Sequence, residues 1–250
     1  MRLTRRIATT VLLLGVILML DTEVHAQTLV CKVPAVYVDD ASPLPVVRRH
    51  LRDGGDLRFL AIGSASMAGM GATSPAQSYA QRFLVVFQER FQRPTSLDNK
   101  AARSMAVNDW LPRLERDVVS AQPALVLWEA GTVDAVRGAD PVEFTRHLAE
   151  GVQQMKKAGI DVILVNPLYS KRTASMLQLR PYIEAMKAVA AAENLVLFDR
   201  FEIMRFWAES GFFKFGDKPD AAMMAENDQI FDCLGRLLVS AVARSLKSDP

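Results

Sequence analysis

The sequence of 250 residues is poor in the side chains that most often announce chemistry, with three histidines and two cysteines. No grouping of His, Cys, Asp and Glu has metal-ligand spacing, so the sequence predicts no metal centre and no cofactor. An excess of one charge is missing too. Thirty Lys and Arg stand against 28 Asp and Glu, which offers no basic surface to a nucleic acid. Long apolar runs are also absent. The run Val11 to Leu20 is about half of what a helix needs to cross a bilayer.

That run follows Arg2, Arg5 and Arg6 and precedes Val24-His25-Ala26, the layout of a secretory signal peptide over residues 1–26 with cleavage near Ala26. The mature chain is therefore expected to be exported, periplasmic or secreted, with no stable membrane span. In an oxidising compartment Cys31 and Cys233 can pair and tie the N-terminal segment to the last helix; two buried thiols are the other reading, and spacing does not choose between them.

From residue 57 onward short apolar runs (57–62, 124–128, 161–165 and 195–198) alternate with longer amphipathic stretches. This predicts an α/β fold, a three-layer α/β/α sandwich around a parallel sheet. Phe144, Leu148, Val152 and Met155 form one helical stripe, and Ile230, Leu234, Leu238 and Val242 another. A weaker strand is expected at 95–98. Residues 27–56, rich in proline, read as an extended strap, 57–246 as one domain and 247–250 as a frayed tail. In such sheets ligands bind beyond the carboxyl ends of the strands. The segments to inspect are 63–71, 99–104, 129–136, 167–172 and the approach to the final helix.

The first of these is Gly63-Ser64-Ala65-Ser66-Met67-Ala68-Gly69, a small-residue turn directly after a strand. With Asn99-Lys100-Ala101, Trp128-Glu129-Ala130-Gly131-Thr132-Val133, the segment 197–207, and Asn227-Asp228 leading into Asp232-Cys233-Leu234, it resembles the sequence blocks of the SGNH (GDSL-type) hydrolases, especially exported proteobacterial members with a GSSSTAG-like first block. The resemblance implies the flavodoxin-like fold of that family and acyl transfer to a serine, with a histidine base, an aspartate, and an oxyanion hole completed by a glycine NH and an asparagine side chain. Carried over by position, the serine falls on Ala65, the glycine on Ala101, the asparagine on Val133, and the aspartate and histidine on Ala222 and Ala225. No histidine occurs after His147.

Two functions follow from that pattern. One is a non-catalytic protein that binds a small ester, acyl or glycan ligand in a pocket made more apolar by these replacements, with Asn99, Trp128, Glu129, Thr132 and Tyr169 as candidate binding residues. The other is an ester hydrolase with Ser66 or Ser64 as substitute nucleophile and Glu129, Asp134 or Asp220 as base, a carboxylate whose pKa burial must raise for work near neutrality. Ser64 and Ser66 can equally serve as turn hydrogen-bonders, and Asp134 as a cap. Trp207 joins Trp128 and Tyr169 as a candidate pocket wall, and Lys100, Arg103, Lys171 and Arg172 as flanking cations.

Overall fold

A computed structural model describes residues 31–216 and 220–247; the expected signal peptide lies outside them. Five strands, β1 (Leu57–Ile62), β2 (Thr95–Asn99), β3 (Leu125–Glu129), β4 (Asp161–Val165) and β5 (Val196–Phe198), form one sheet in the order β2-β1-β3-β4-β5. Every neighbouring pair is parallel. The expected strands are all present, and β2 and β3 each end one residue later than the apolar pattern suggests. The helices are α1 (Pro45–Asp53), α2 (Tyr79–Phe91), α3 (Val107–Trp110), α4 (Leu114–Asp117), α5 (Thr132–Val136), α6 (Pro141–Lys157), α7 (Lys171–Met176), α8 (Arg180–Glu193), α9 (Arg200–Glu209) and α10 (Ala221–Ser245).

Strand alternation sends successive side chains to opposite faces and so builds two cores. On one face Phe59, Ala61, Leu125, Leu127, Ile163 and Val165 pack against α1, α2, α9 and α10. On the other, Leu60, Ile62, Val126, Trp128, Val162 and Leu164 pack against α3, α4, α6 and α8. The helical stripes read from the sequence are buried as expected, Phe144, Leu148, Val152 and Met155 in one core and Ile230, Leu234, Leu238 and Val242 in the other.

The strap is not extended throughout. Pro45 occupies the first turn of α1, where a missing NH costs nothing and a fixed φ suits the helix, so a proline that suggested an extended strap begins a helix instead. Val47 of α1 is buried, and its NH donates to Asp161 Oδ2 at the start of β4 (2.9 Å). At the N-terminal side Cys31 is disulfide-bonded to Cys233 in α10, across 202 positions of sequence. α10 lies close against α2. A Cβ on Gly235 would stand 2.7 Å from the Phe83 backbone nitrogen, so this contact requires glycine.

Two outcomes follow for stability. Gly235→Ala should cost about 1–3 kcal/mol by forcing α10 off α2, measured by chemical denaturation; an unchanged midpoint would show that the two helices have slack. Burial pushes the Asp161 carboxyl up to about 6, against hydrogen bonds from the Val47 and Val46 NH groups and the charges of Arg49 and Arg48. The folded state then binds the proton more tightly than the unfolded one. The contribution of Asp161 to stability should therefore be fully present below the usual carboxylate range and be lost as pH rises to about 6, by up to roughly 3 kcal/mol. Asp161→Asn should flatten the profile across that window, and an equally steep profile in the variant would assign the slope to another group.

Candidate functional site

The site begins where β1 ends. Gly63 has φ +145°, and a Cβ there would meet Glu129 Cβ at 2.6 Å and the Glu129 carbonyl oxygen at 2.7 Å. With only a hydrogen in that place, the turn after β1 closes onto the end of β3. This approach delivers two hydroxyls to one carboxylate. Ser64 Oγ donates to Glu129 Oε1 (2.5 Å), and Ser66 Oγ lies 2.7 and 2.9 Å from the two carboxylate oxygens. From α2 the Tyr79 hydroxyl donates to Glu129 Oε2 (2.7 Å).

The countercharge comes from the far side of β4. Arg200, the first residue of α9 after β5, places Nη1 3.0 Å from Glu129 Oε2 and 3.1 Å from Ser66 Oγ. Both side chains of the ion pair are 1% exposed. Arg200 Nε donates to the Asn166 carbonyl just beyond β4 (3.1 Å), and the guanidinium stands over the Tyr79 ring, 5.2 Å from its centroid. Asn166 is itself fixed, donating to Asp199 Oδ1 (2.6 Å) and accepting from the Phe201 NH (2.9 Å). Arg200 Nη2 is buried and has no hydrogen-bond partner among the described residues.

This environment sets the proton affinities. Burial alone would raise the Glu129 pKa, but the Arg200 charge and the hydrogen bonds from Ser64, Tyr79 and Ser66 together outweigh it and leave the carboxyl below its ordinary value. Tyr79 goes the other way. Burial, and then the Glu129 charge, hold its phenol well above the usual value. The cluster is thus an ionised carboxylate balanced by a guanidinium, surrounded by neutral hydroxyls. A carboxylate so stabilised is a poorer base than a free one, the opposite of the raised pKa that a carboxylate base near neutrality requires.

Ala65 lies half-buried between the two serines, with its carbonyl accepting from the Met70 NH. Ala101 follows β2, and its NH donates to Asn99 Oδ1 (3.1 Å), while Asn99 Nδ2 donates to the Met67 carbonyl (2.8 Å). Asn99 therefore braces one loop on another. Val133 sits in α5 and presents an isopropyl group. Thr132 Oγ1 beside it is buried without a hydrogen-bond partner among the described residues. Ala222 and Ala225 are exposed on the first turns of α10 and line a shallow groove with Asp220, Glu226 and Gln229. The approach to the final helix is thus already helical at these two positions. Asp220 caps α10, accepting from the Met223 NH.

Asp134 caps as expected, accepting from the Gly131 and Val107 NH groups (3.1 and 3.0 Å), with burial first among the influences on a carboxyl that is raised overall. Two of the expected pocket aromatics are core residues instead. Trp128 packs on Gly151, where a Cβ would fall 2.5 Å from its ring, and Trp207 is buried with Nε1 donating to the Lys32 carbonyl. The strand periodicity places Trp128 on the face opposite Glu129, which is why a pocket cannot use both. Tyr169 and Arg172 do line a cavity, together with Ser66 and Arg200. Lys100 pairs with Asp98 at 3.4 Å, while Arg103 and Lys171 are exposed.

Three further polar residues belong to the cluster and were not anticipated: Tyr79, Asn166 and Arg200. Arg200 carried a signal, a lone arginine directly after a strand and beside Asp199. Among the described histidines, His50 lies in α1 and His147 in α6, where its Nε2 is 3.9 Å from Glu143; neither belongs to the cluster.

The structure is similar to a G-D-S-L-family protein from Desulfitobacterium hafniense DCB-2, with a TM-score of 0.55 at 18% identity over 74% of this chain and 98% of that one. A lipase/acylhydrolase from Enterococcus faecalis matches with a TM-score of 0.58 at 19% identity over 74% and 95%. A two-domain esterase active on acetylated mannans matches with a TM-score of 0.67 at 14% identity, over 88% of this chain and 59% of that one. At these identities the likeness establishes the fold, the SGNH α/β/α sandwich expected from the sequence. No curated protein sequence gives a significant match. The profile of the non-GDSL lipase-like family matches residues 30–248, and the chain belongs to that family.

Proposed function

We propose that this protein is a non-catalytic member of the SGNH-fold esterases that works by binding a small ester, acyl or glycan ligand. The observation that carries the reading is the state of the two serines nearest the family's nucleophile position. Both hydroxyls are engaged by Glu129, and Arg200 already neutralises that carboxylate. A serine becomes a nucleophile when a neighbouring base takes its proton. Glu129, with its lowered pKa, is poorly suited to do so, and no imidazole among the described residues stands nearby.

Supporting observations point the same way. Ala65 carries no nucleophilic atom, Val133 carries no donor for an oxyanion, and the Ala101 NH is committed to Asn99. In a well-studied serine protease, loss of the nucleophile or base costs on the order of 10⁶ in turnover. The similar solved structures include an acetylxylan esterase from Geobacillus stearothermophilus and the esterase active on acetylated mannans, which is why an ester or acylated glycan is the ligand class favoured. We further infer that the mature chain works outside the cytoplasm. The Cys31–Cys233 disulfide supports an oxidising compartment.

The test is hydrolysis of short-chain aryl esters by the mature protein beside Ser64→Ala and Ser66→Ala. Rates at background in all three are expected; turnover abolished by one substitution would make that serine a substitute nucleophile and overturn the reading. Ala65→Ser should also stay at background, because a hydroxyl is restored without a base, and turnover comparable to that of an active esterase would contradict this. Glu129→Gln should destabilise the fold by about 3–5 kcal/mol, since it leaves the Arg200 charge buried and uncompensated. An unchanged denaturation midpoint would remove the ion pair from its structural role.

A further inference from the structure

At the amino ends of the strands, opposite the Glu129 cluster, the strap before α1, the ends of α6 and α8 and the starts of β4 and β5 border a cavity of about 300 Å³. Its walls are mostly apolar, from Pro43, Val46, Ile160, Val162 and Leu195. The charged side chains among its described lining residues are Asp161, Lys156 and Glu193. Two of them cancel. Lys156 Nζ lies 2.9 Å from Glu193 Oε2 and donates to the Glu193 carbonyl (2.6 Å). Asp161 is left over: it is 7% exposed, forms no ion pair among the described residues, and has Oδ2 held by the Val47 NH (2.9 Å). Arg49 and Arg48 of α1 act on it, but count for less than its burial and the Val47 and Val46 NH groups. Arg48 turns Nη2 to the Ser245 carbonyl (3.1 Å), and Arg49 is exposed. A buried carboxylate with hydrogen bonds but no close countercharge is the costly half of an ion pair.

The ligand chemistry that completes this site has three requirements. It must carry positive charge, because Lys156 is spent on Glu193 and Asp161 is not balanced. The ends of α6 and α8 add to that demand, since both helices bring the negative end of their dipole here. It must donate hydrogen bonds, because an ionised carboxylate can only accept them. It must also cover the apolar walls with a chain. A six-carbon amine, with seven non-hydrogen atoms at roughly 30 Å³ each, fits the volume. We propose that this cavity is a binding site for a small primary alkylammonium ion, its N–H groups donating to the Asp161 carboxylate and its chain lying along Val46, Ile160 and Leu195. The site lies at the other end of the sheet from Ser64, Ser66 and Arg200, so it goes beyond the non-catalytic reading and does not depend on it.

Isothermal titration of the disulfide-intact protein with hexylamine, hexan-1-ol and hexanoate tests it. At pH 7 hexylamine, as its ammonium ion, should bind one to one, hexan-1-ol at least tenfold more weakly, and hexanoate without measurable heat. The amine is charged throughout the acidic and neutral range, so its affinity should rise about tenfold between pH 5 and pH 7 as Asp161 ionises at about 6. Glu193, held below its ordinary value by hydrogen bonds from Gln153 and Lys156, is already ionised there and adds no slope. Asp161→Asn should weaken the amine at least tenfold and remove the pH dependence. Val46→Trp, which fills the cavity and keeps the carboxylate, should weaken it as much at every pH. No heat with hexylamine would overturn the assignment, as would hexan-1-ol binding equally well, an affinity flat from pH 5 to pH 7, or affinity unaltered in both variants. Should Asp161→Asn fail to fold, the pH profile and Val46→Trp decide. Ester hydrolysis, present or absent, bears on the Glu129 site alone.

Discussion

The structure around the carboxyl ends of the strands depends on one buried ion pair, Glu129 at the end of β3 with Arg200 just after β5. Removing two charges from water costs several kcal/mol per ion, and their attraction offsets this only when the remaining polar atoms are also satisfied. Four groups satisfy most of them, the hydroxyls of Ser64, Ser66 and Tyr79 on the carboxylate and the Asn166 carbonyl on the guanidinium, while Arg200 Nη2 has no partner among the described residues. Ser64 and Ser66 come from the turn after β1, Tyr79 from α2 and Asn166 from just beyond β4, so the pair fixes the mutual placement of β1, β3, β4, β5 and α2. An apolar cluster of equal volume would hold these elements together without specifying their angles.

The turn after β1 shows how that constraint spreads. Gly63 lets the backbone approach Glu129, the two serines anchor the first half of the turn, and Asn99 Nδ2 holds the Met67 carbonyl. Its far end is fastened to α10, where Asn227 Nδ2 donates to the Gly71 carbonyl (2.9 Å) and Asp228 accepts from the Thr73 NH (2.9 Å). α10 is in turn bonded to the N-terminal segment through Cys233. A loop held at both ends and in its middle is a rigid wall for a cavity, which favours a preformed site over one that closes on its ligand.

Much of this frame was legible in the sequence, because periodicity reports burial directly. The strands and the long helices follow from apolar runs and stripes, and the turn after β1 stood out through its small residues. What escaped was polar and long-range. Arg200 and Tyr79 are 121 positions apart and meet on Glu129, and no local pattern encodes such a meeting. Trp128 was misplaced because a strand-end residue has two faces to choose from, and the sequence alone did not say which of Trp128 and Glu129 turns toward the loops. Pro45 misled in a simpler way: proline interrupts a helix interior but is well suited to a first turn. The pairing of Cys31 with Cys233 needed the third dimension outright.

The geometry separates two regions that a family resemblance would treat as one. Ala65, Ala101 and Val133 belong to the segments that follow β1, β2 and β3, on the β2 side of the sheet's carboxyl edge. The cavity with Arg200 and Arg172 draws instead on the loops after β1, β4 and β5. Only the β1 turn is shared, and its residues divide: Ala68 borders a groove with Asn99 of β2 on one side, Ser66 and Met70 the cavity on the other. Small and aliphatic side chains stand at the carried-over positions of the first side, while Arg200 and Arg172 line the second. A fold that places every strand end along one edge can move its polar site by a strand or two without altering the sheet, since the edge is made of loops and the core is made of strands.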